Sequence, residues 1–328
     1  DLEISRKNVF TQVFAGNGGT DSYTNAISDF YQDLFDEGIF TGKGIYDLET
    51  FSTVLTKEIP ENKVLSHDLL EGSYLRCALV SDIMLMDGYP ANYQSFKARM
   101  HRWIRGDIQI LGWLKRRIFN KKGEEKQNPL IGLSKYKILD NSVRAIFPIT
   151  VLFGLLYTLF FSNGLAWLFL IALLTPTLLE WIDKIVYRKE NVGSRKSFDS
   201  TISVSMASID RGILTIASLP DKAYTSANAI VKTCYRLWIS KKHMLEWITS
   251  EEAEKLAKTS LISYYRNMLA NIIISVGVIV YLCTTKQEPL SILFFILAIL
   301  WLIAPAILWY MCKVPKQKTE KETSFGGF

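Results

Sequence analysis

Four long apolar runs crowd the second half of this chain and decide most of what it can fold into. In residues 145–161 and 165–182 nearly every side chain is apolar, with only Glu180 charged, near one end. Residues 268–283 and 290–312 repeat the pattern. A helix needs ~20 apolar residues to cross ~30 Å of hydrocarbon. The last run meets that length, and the third reaches it when extended back to Leu261. Buried core helices are the other home for such runs. Four of them, almost free of charge in one short half, favour membrane spans instead.

Charge divides as sharply as hydrophobicity. Residues 1–114 carry 16 acidic against 10 basic side chains, and the remainder carries 16 against 28. The basic residues cluster outside the apolar runs, in 115–122, 135–137, 184–196, 241–266 and 313–321. The connections within each pair of runs, 162–164 and 284–288, are short. Because Lys and Arg accumulate in cytoplasmic loops, this distribution predicts four crossings with both ends and the middle loop in the cytoplasm. Basic residues beside spans suit anionic lipid headgroups rather than nucleic acid. Cys77, Cys234, Cys283 and Cys312 share no close spacing, and there are 3 histidines. Neither a disulfide framework nor a zinc site is indicated, as suits a reducing compartment. The chain opens on Asp1, with neither methionine nor signal peptide, and reads as an excised segment.

Residues 1–117 read as alternating α and β. Helices are predicted over 28–37, 69–79 and 91–117, and short strands over 39–41, 63–66 and 82–86. Gly42-Lys43-Gly44 forms a loop in which glycine permits close backbone approach. At ~100° per residue, Arg99, Arg102, Trp103 and Gly106 share one stripe of the long helix, while Tyr93, Phe96, Met100 and Ile104 face the domain. A basic linker is expected over 118–143, a first transmembrane hairpin over 144–183 and a cytoplasmic loop over 184–260. A second hairpin over 261–312 and a basic tail over 313–328 complete the chain. Within the loop, Ile202, Met206, Ile209, Ile213 and Ile216 form one apolar stripe, and Tyr224, Ala227, Val231, Cys234 and Trp238 another. Such helices either lie in the membrane interface or pack onto the preceding domain.

The pentad Arg99-Met100-His101-Arg102-Trp103 and the upstream Asp68 have a chemistry in common. Asp68, predicted at the end of an apolar strand, stands where α/β sheets place ligand chemistry and can accept a proton from a hydroxyl as a general base. Its plainer role is a helix N-cap. Arg99 and Arg102 offer forked donors to phosphate oxygens and can stabilise a departing diphosphate. Trp103 offers a flat apolar face to the C–H side of a sugar; its plainer role is in the core. Arg-x-x-Arg-Trp alone is a weak motif, and it gains force from Asp68 upstream and the spans downstream.

Ser66-His67-Asp68 and Arg99-x-x-Arg102-Trp103 resemble the base motif and the (Gln/Arg)-x-x-Arg-Trp motif of processive inverting family 2-type glycosyltransferases, the group that includes cellulose synthases. Residues 31–35, 42–47, 65–72, 101–107 and 245–247 resemble, more narrowly, the synthase region of cyclic β-1,2-glucan synthases. The resemblance implies the C-terminal part of an α/β, GT-A-type transferase domain, followed by an all-α membrane domain of about four transmembrane helices with amphipathic interface helices. It implies UDP-glucose as donor and a β-1,2-glucan chain as acceptor and product, on the cytoplasmic face of a bacterial inner membrane. Asp68 is then the base, Arg99 and Arg102 hold the diphosphate, and Trp103 with Gly42, Lys43 and Gly44 lines the acceptor side. A divalent metal, Mg or Mn, is implied with ligands upstream, since residues 1–64 show no counterpart of the family's Asp-x-Asp or uridine-binding aspartate. The other half of the transferase domain and a phosphorylase-like region are expected in the parent chain, and this segment alone is expected to be inactive. Another β-glucan linkage, β-1,4 or that of periplasmic glucans, and a non-catalytic membrane scaffold are the rival readings.

Overall fold

The computed structural model describes residues 8–14, 29–40, 42, 44–64, 67–80, 89–161, 164–186, 194–246, 248–285 and 290–313. In the N-terminal region the helices are α1 (Val9–Phe14), α2 (Asp29–Phe35), α3 (Leu48–Leu55), α4 (Asp68–Leu75) and α5 (Tyr93–Gln109), the last running into a 3-10 turn over Ile110–Leu114. A hairpin of β1 (Arg117–Phe119) and β2 (Glu125–Gln127) follows, antiparallel, with Ile118 opposite Lys126. Beyond it come α6 (Gly132–Phe161), α7 (Ala166–Val186), α8 (Ser194–Ala217), α9 (Leu219–Tyr235), α10 (Ser250–Leu256), α11 (Leu261–Asn267), α12 (Leu269–Thr284) and α13 (Ser291–Met311).

The described residues are predominantly helical and do not confirm the α/β reading of residues 1–117. Among the described residues the hairpin is the only sheet, and it begins at the edge of the expected linker. Ile39, Phe40 and Val64 belong to no helix or strand, Lys63 lies in a turn, and the remaining predicted strand positions fall outside the described residues. Short apolar runs do not distinguish a strand from a buried coil. The expected linker over 118–143 is ordered instead, since the hairpin and the first turns of α6 occupy it. Asn120 closes the turn, its Oδ1 accepting from the N–H groups of Lys122 and Glu124, with Gly123 at φ +78°.

Of the four predicted spans, α6 and α13 are long and apolar enough to cross a membrane. The pair α11 and α12 would be a third if counted as one, but it bends by 72° at Met268. In α7 the apolar stretch is shorter, Ala166–Leu179. These helices share one core, with Val151, Leu155 and Leu159 of α6, Leu170 and Leu173 of α7, Val278 of α12 and Phe294, Leu297 and Trp301 of α13. Their outer faces leave Phe153, Trp167, Leu168, Ile273 and Ile292 exposed, an apolar surface suited to lipid. In α9 Tyr224 and Val231 are exposed, as is Trp238 just beyond its end, while the small residues Ala223, Thr225, Ser226, Ala229 and Thr233 are buried against the neighbouring helices. The packing expectation for this helix holds on its buried face. Met206, Ile209 and Ile213 of α8 are exposed likewise.

One side chain ties α12 and α13 to α8 and α9. Pro305 inside α13 has no N–H, so the carbonyl of Trp301, four residues earlier, lacks its helical donor. Asn271 Nδ2 supplies one at 2.9 Å and also donates to Ala217 O at 2.8 Å, at the end of α8. Its Oδ1 accepts from the N–H of Asp221, in the first turn of α9, at 2.9 Å. Three backbone groups stranded at helix breaks are thus satisfied by one buried amide. Asn271→Leu should lower the thermal midpoint of the detergent-solubilised protein markedly, since each orphaned buried group costs about 1–3 kcal/mol. A midpoint unchanged from wild type would contradict this role.

Candidate functional site

The frame of the site is α5. Its N-cap is Asn92, whose side chain accepts from Ser95 N–H at 2.9 Å. Tyr93, Ile104 and Ile108 are buried and fix the inner face, as the periodicity predicts. Phe96 packs beside Tyr93, Phe10 and Phe14. That leaves Arg99, Arg102 and Trp103 on the remaining arc.

Asp68 comes to the same arc from α4. It is the first residue of that helix; the cap position belongs to His67, which makes no side-chain capping bond. The capping role is therefore not what Asp68 serves, although an acid in a first turn does suit the helix dipole. No strand precedes it among the described residues. Its carboxylate lies against Gly42, which sits at φ +84°, and a Cβ built there would be 2.7 Å from Asp68 Oδ2. Glycine is required at Gly42 twice over, for the left-handed backbone and for the approach of the carboxylate. Arg102 stands within electrostatic reach of Asp68. Burial and the charge of Arg99 draw the Arg102 pKa down from its ordinary value, and Asp68 opposes them. The Arg99 guanidinium lies 4.5 Å from the centre of the Trp103 ring and 5.8 Å from that of Tyr89. Trp103 is 43% exposed, so the indole is not a core side chain.

Gly42, Asp68, Arg102, Arg99 and Trp103 are thus gathered in one region. Gly44 is not drawn to the carboxylate: its nearest neighbour is the Phe40 ring, 3.2 Å from a built Cβ. Lys43, Ser66 and Trp247 lie outside the described residues. Among the described residues no group of three or more His, Cys, Asp or Glu side chains could hold a metal ion. The described residues therefore do not supply the ligands a divalent ion would need.

Sequence reasoning missed a second, larger feature on the adjacent face of α5. Lys97, His101 and Arg105 line a cleft of about 500 Å³ with Arg99 and Arg102, closed on its far side by Tyr224, Asn228 and Lys232 of α9 and by Glu246 and Thr249. Asp68 and Trp103 are not part of this lining, so the two arginines stand between the cleft and the carboxylate. Lys97 Nζ donates to Asp221 Oδ1 at 2.5 Å and to Asn267 O at 2.7 Å; Tyr93 Oη donates to Asp221 Oδ2 at 3.0 Å. Burial raises the Asp221 carboxyl above the usual carboxylate range, and Lys97 opposes it. His101 Nε2 pairs with Asn228 Oδ1 at 3.0 Å, and burial lowers its pKa. Arg105 holds the backbone carbonyls of Glu246 and Met244 at 2.9 and 3.3 Å. The signal for this cleft was present in the sequence as a basic stripe, Lys97, His101 and Arg105 at i, i+4 and i+8, one turn-face away from the pentad.

No family model matches this chain. Cyclic beta-(1,2)-glucan synthase NdvB of Rhizobium meliloti (strain 1021) is 34% identical to it over 312 residues, covering 94% of the chain. The chain spans only 11% of that relative's length. The chain is therefore related to the cyclic glucan synthases over nearly its whole length.

Proposed function

We propose that this chain forms the acceptor and leaving-group side of a membrane-embedded inverting glycosyltransferase, which transfers glucose from UDP-glucose to a growing β-1,2-glucan. The observation that carries the reading is the placement of Asp68 against Gly42 and within electrostatic reach of Arg102, with Arg99 and Trp103 on the same arc. Asp68 Oδ takes the proton from the acceptor hydroxyl as that oxygen attacks the anomeric carbon and the diphosphate leaves. Arg99 and Arg102 stabilise the charge that grows on the leaving phosphates. Trp103 carries the acceptor ring, with the stacked Arg99 guanidinium holding the indole. The exposed apolar faces of α6, α12 and α13, with those of α8 and α9, support a multi-pass protein of a bacterial inner membrane. The basic segments beside them support a cytoplasmic catalytic face.

The pentad separates stacking from charge. Trp103→Ala should slow elongation and shorten the products, Trp103→Phe should retain part of both, and neither should much change UDP affinity. Protein yield should hold, because an indole 43% exposed does not carry the ~3–5 kcal/mol of a buried one. Product-length analysis on the full-length protein checks this. A Trp103→Ala protein making full-length glucan at the normal rate would rule out the acceptor platform, and a scaffold would show no dependence on any of these residues.

A further inference from the structure

The residue before the carboxylate behaves unlike its position. His67 is the N-cap of α4, where Ser, Thr, Asp or Asn would bond the free N–H groups of the first turn, yet its side chain makes no such bond. The imidazole turns away from its own helix and reaches α5. There Nε2 lies 3.3 Å from Asp107 Oδ1, with the two side chains only 13% and 15% exposed. A lone pair facing a carboxylate would be repelled, which favours the tautomer with its hydrogen on Nε2. Nδ1 is buried and has no hydrogen-bond partner among the described residues. The ring lies flush on α5 because residue 106 is glycine: a Cβ built there would be 2.9 Å from His67 Cδ2. Asp107 is held in turn, its Oδ1 accepting from Asn141 Nδ2 of α6 at 2.9 Å.

The geometry points to His67 as a positioning residue for Asp68: latched to Asp107, and through it to Asn141 on a membrane helix, the ring sets the entry of α4 from which the carboxylate projects. This rests on the reading of Asp68 as the base. The latch joins the two halves of the site directly. Asp107 is one turn beyond Trp103 on α5, so whatever fixes His67 to Asp107 fixes the distance between base and acceptor platform. Displacing a reacting group by ~1 Å can cost ~10²-fold in rate, which is the scale on which a slack latch should be felt. The natural capping residue would stabilise α4 locally but leave Asp68 free to move relative to α5. Giving up the cap for a contact across the site is the kind of local conflict that functional sites retain.

The test uses the full-length protein in membranes, with radiolabelled UDP-glucose and Asp68→Asn assayed alongside. His67→Ala and Asp107→Leu should each lower kcat by roughly 10–100-fold with KM for UDP-glucose and protein yield nearly unchanged. The double variant should be no worse than either single one, because the two residues act as one unit. His67→Gln, whose amide N–H reaches the place of Nε2, should recover a large part of the rate, whereas His67→Asn, one bond shorter, should not. A near-normal kcat in His67→Ala beside an inactive Asp68→Asn would overturn the latch and leave the base reading intact. Equal loss in the Gln and Ala variants, or a loss confined to KM or yield, would overturn it too. Normal synthesis by Asp68→Asn would instead sink the reading on which the latch depends.

Discussion

Asp68→Asn in the full-length protein is expected to reduce glucan synthesis by roughly 10²–10⁴-fold, the range a positioned general base contributes. The substitution keeps size and shape and removes the capacity to accept a proton. UDP binding should be nearly unaffected, since the diphosphate is assigned to the arginines of α5. Stability should largely hold: Asp68 is exposed and is not the cap of α4, and a first-turn charge is worth ~0.3–1 kcal/mol. Initial rates with UDP-glucose, set beside a UDP-binding isotherm on the same preparation, check both halves. A mutant that polymerises at a near-normal rate would reduce Asp68 to that charge.

Arg102→Ala is expected to have the next largest effect, a fall in kcat of about 10²–10³-fold, the usual loss when one preorganised charge on a developing anion is removed. Arg102→Lys should fall between alanine and wild type, because a point charge replaces a planar fork that can hold two oxygens. Arg102 is half-buried and flanked by a like charge, Arg99, with Asp68 opposing. The phosphates of UDP would add anionic partners to these two neighbouring cations. UDP affinity should therefore drop in both variants, unlike in Asp68→Asn and Trp103→Ala. Full UDP affinity in Arg102→Ala, measured by isothermal titration, would place the diphosphate elsewhere.

The helical half of this fold was legible because its signals are periodic and local. The stripe of Tyr93, Phe96 and Ile104 announced which face of α5 is buried, and the apolar runs announced α6 and α13. Strands at 39–41 and 63–66 were read from runs too short to carry a period, and such runs do not by themselves tell a strand from another buried segment. The hairpin over 117–127 was missed although Asn120 and Gly123 are turn residues; its strands are charged and show no apolar alternation. The 72° bend at Met268 left no proline or glycine to mark it. Within the site, Asp68, Arg102 and Trp103 could be named from the motif, but their neighbours could not. Asp107, Asp221 and Asn271 are single polar residues whose partners lie 34, 128 and 54 positions away in Asn141, Tyr93 and Ala217. Pairings of that kind are tertiary facts, and only the cleft's basic stripe on α5 left a local trace.

The central claim is that Asp68, Arg102 and Trp103 serve one sugar-transfer reaction. An electron cryomicroscopy map of the full-length protein with UDP and a short β-1,2-glucan tests it most directly. The account predicts the diphosphate against Arg99 and Arg102, the terminal pyranose on the Trp103 ring, and its free hydroxyl within hydrogen-bond reach of the Asp68 carboxylate. Nucleotide density away from both arginines, or a glucan end that leaves Trp103 and Asp68 untouched, would contradict it.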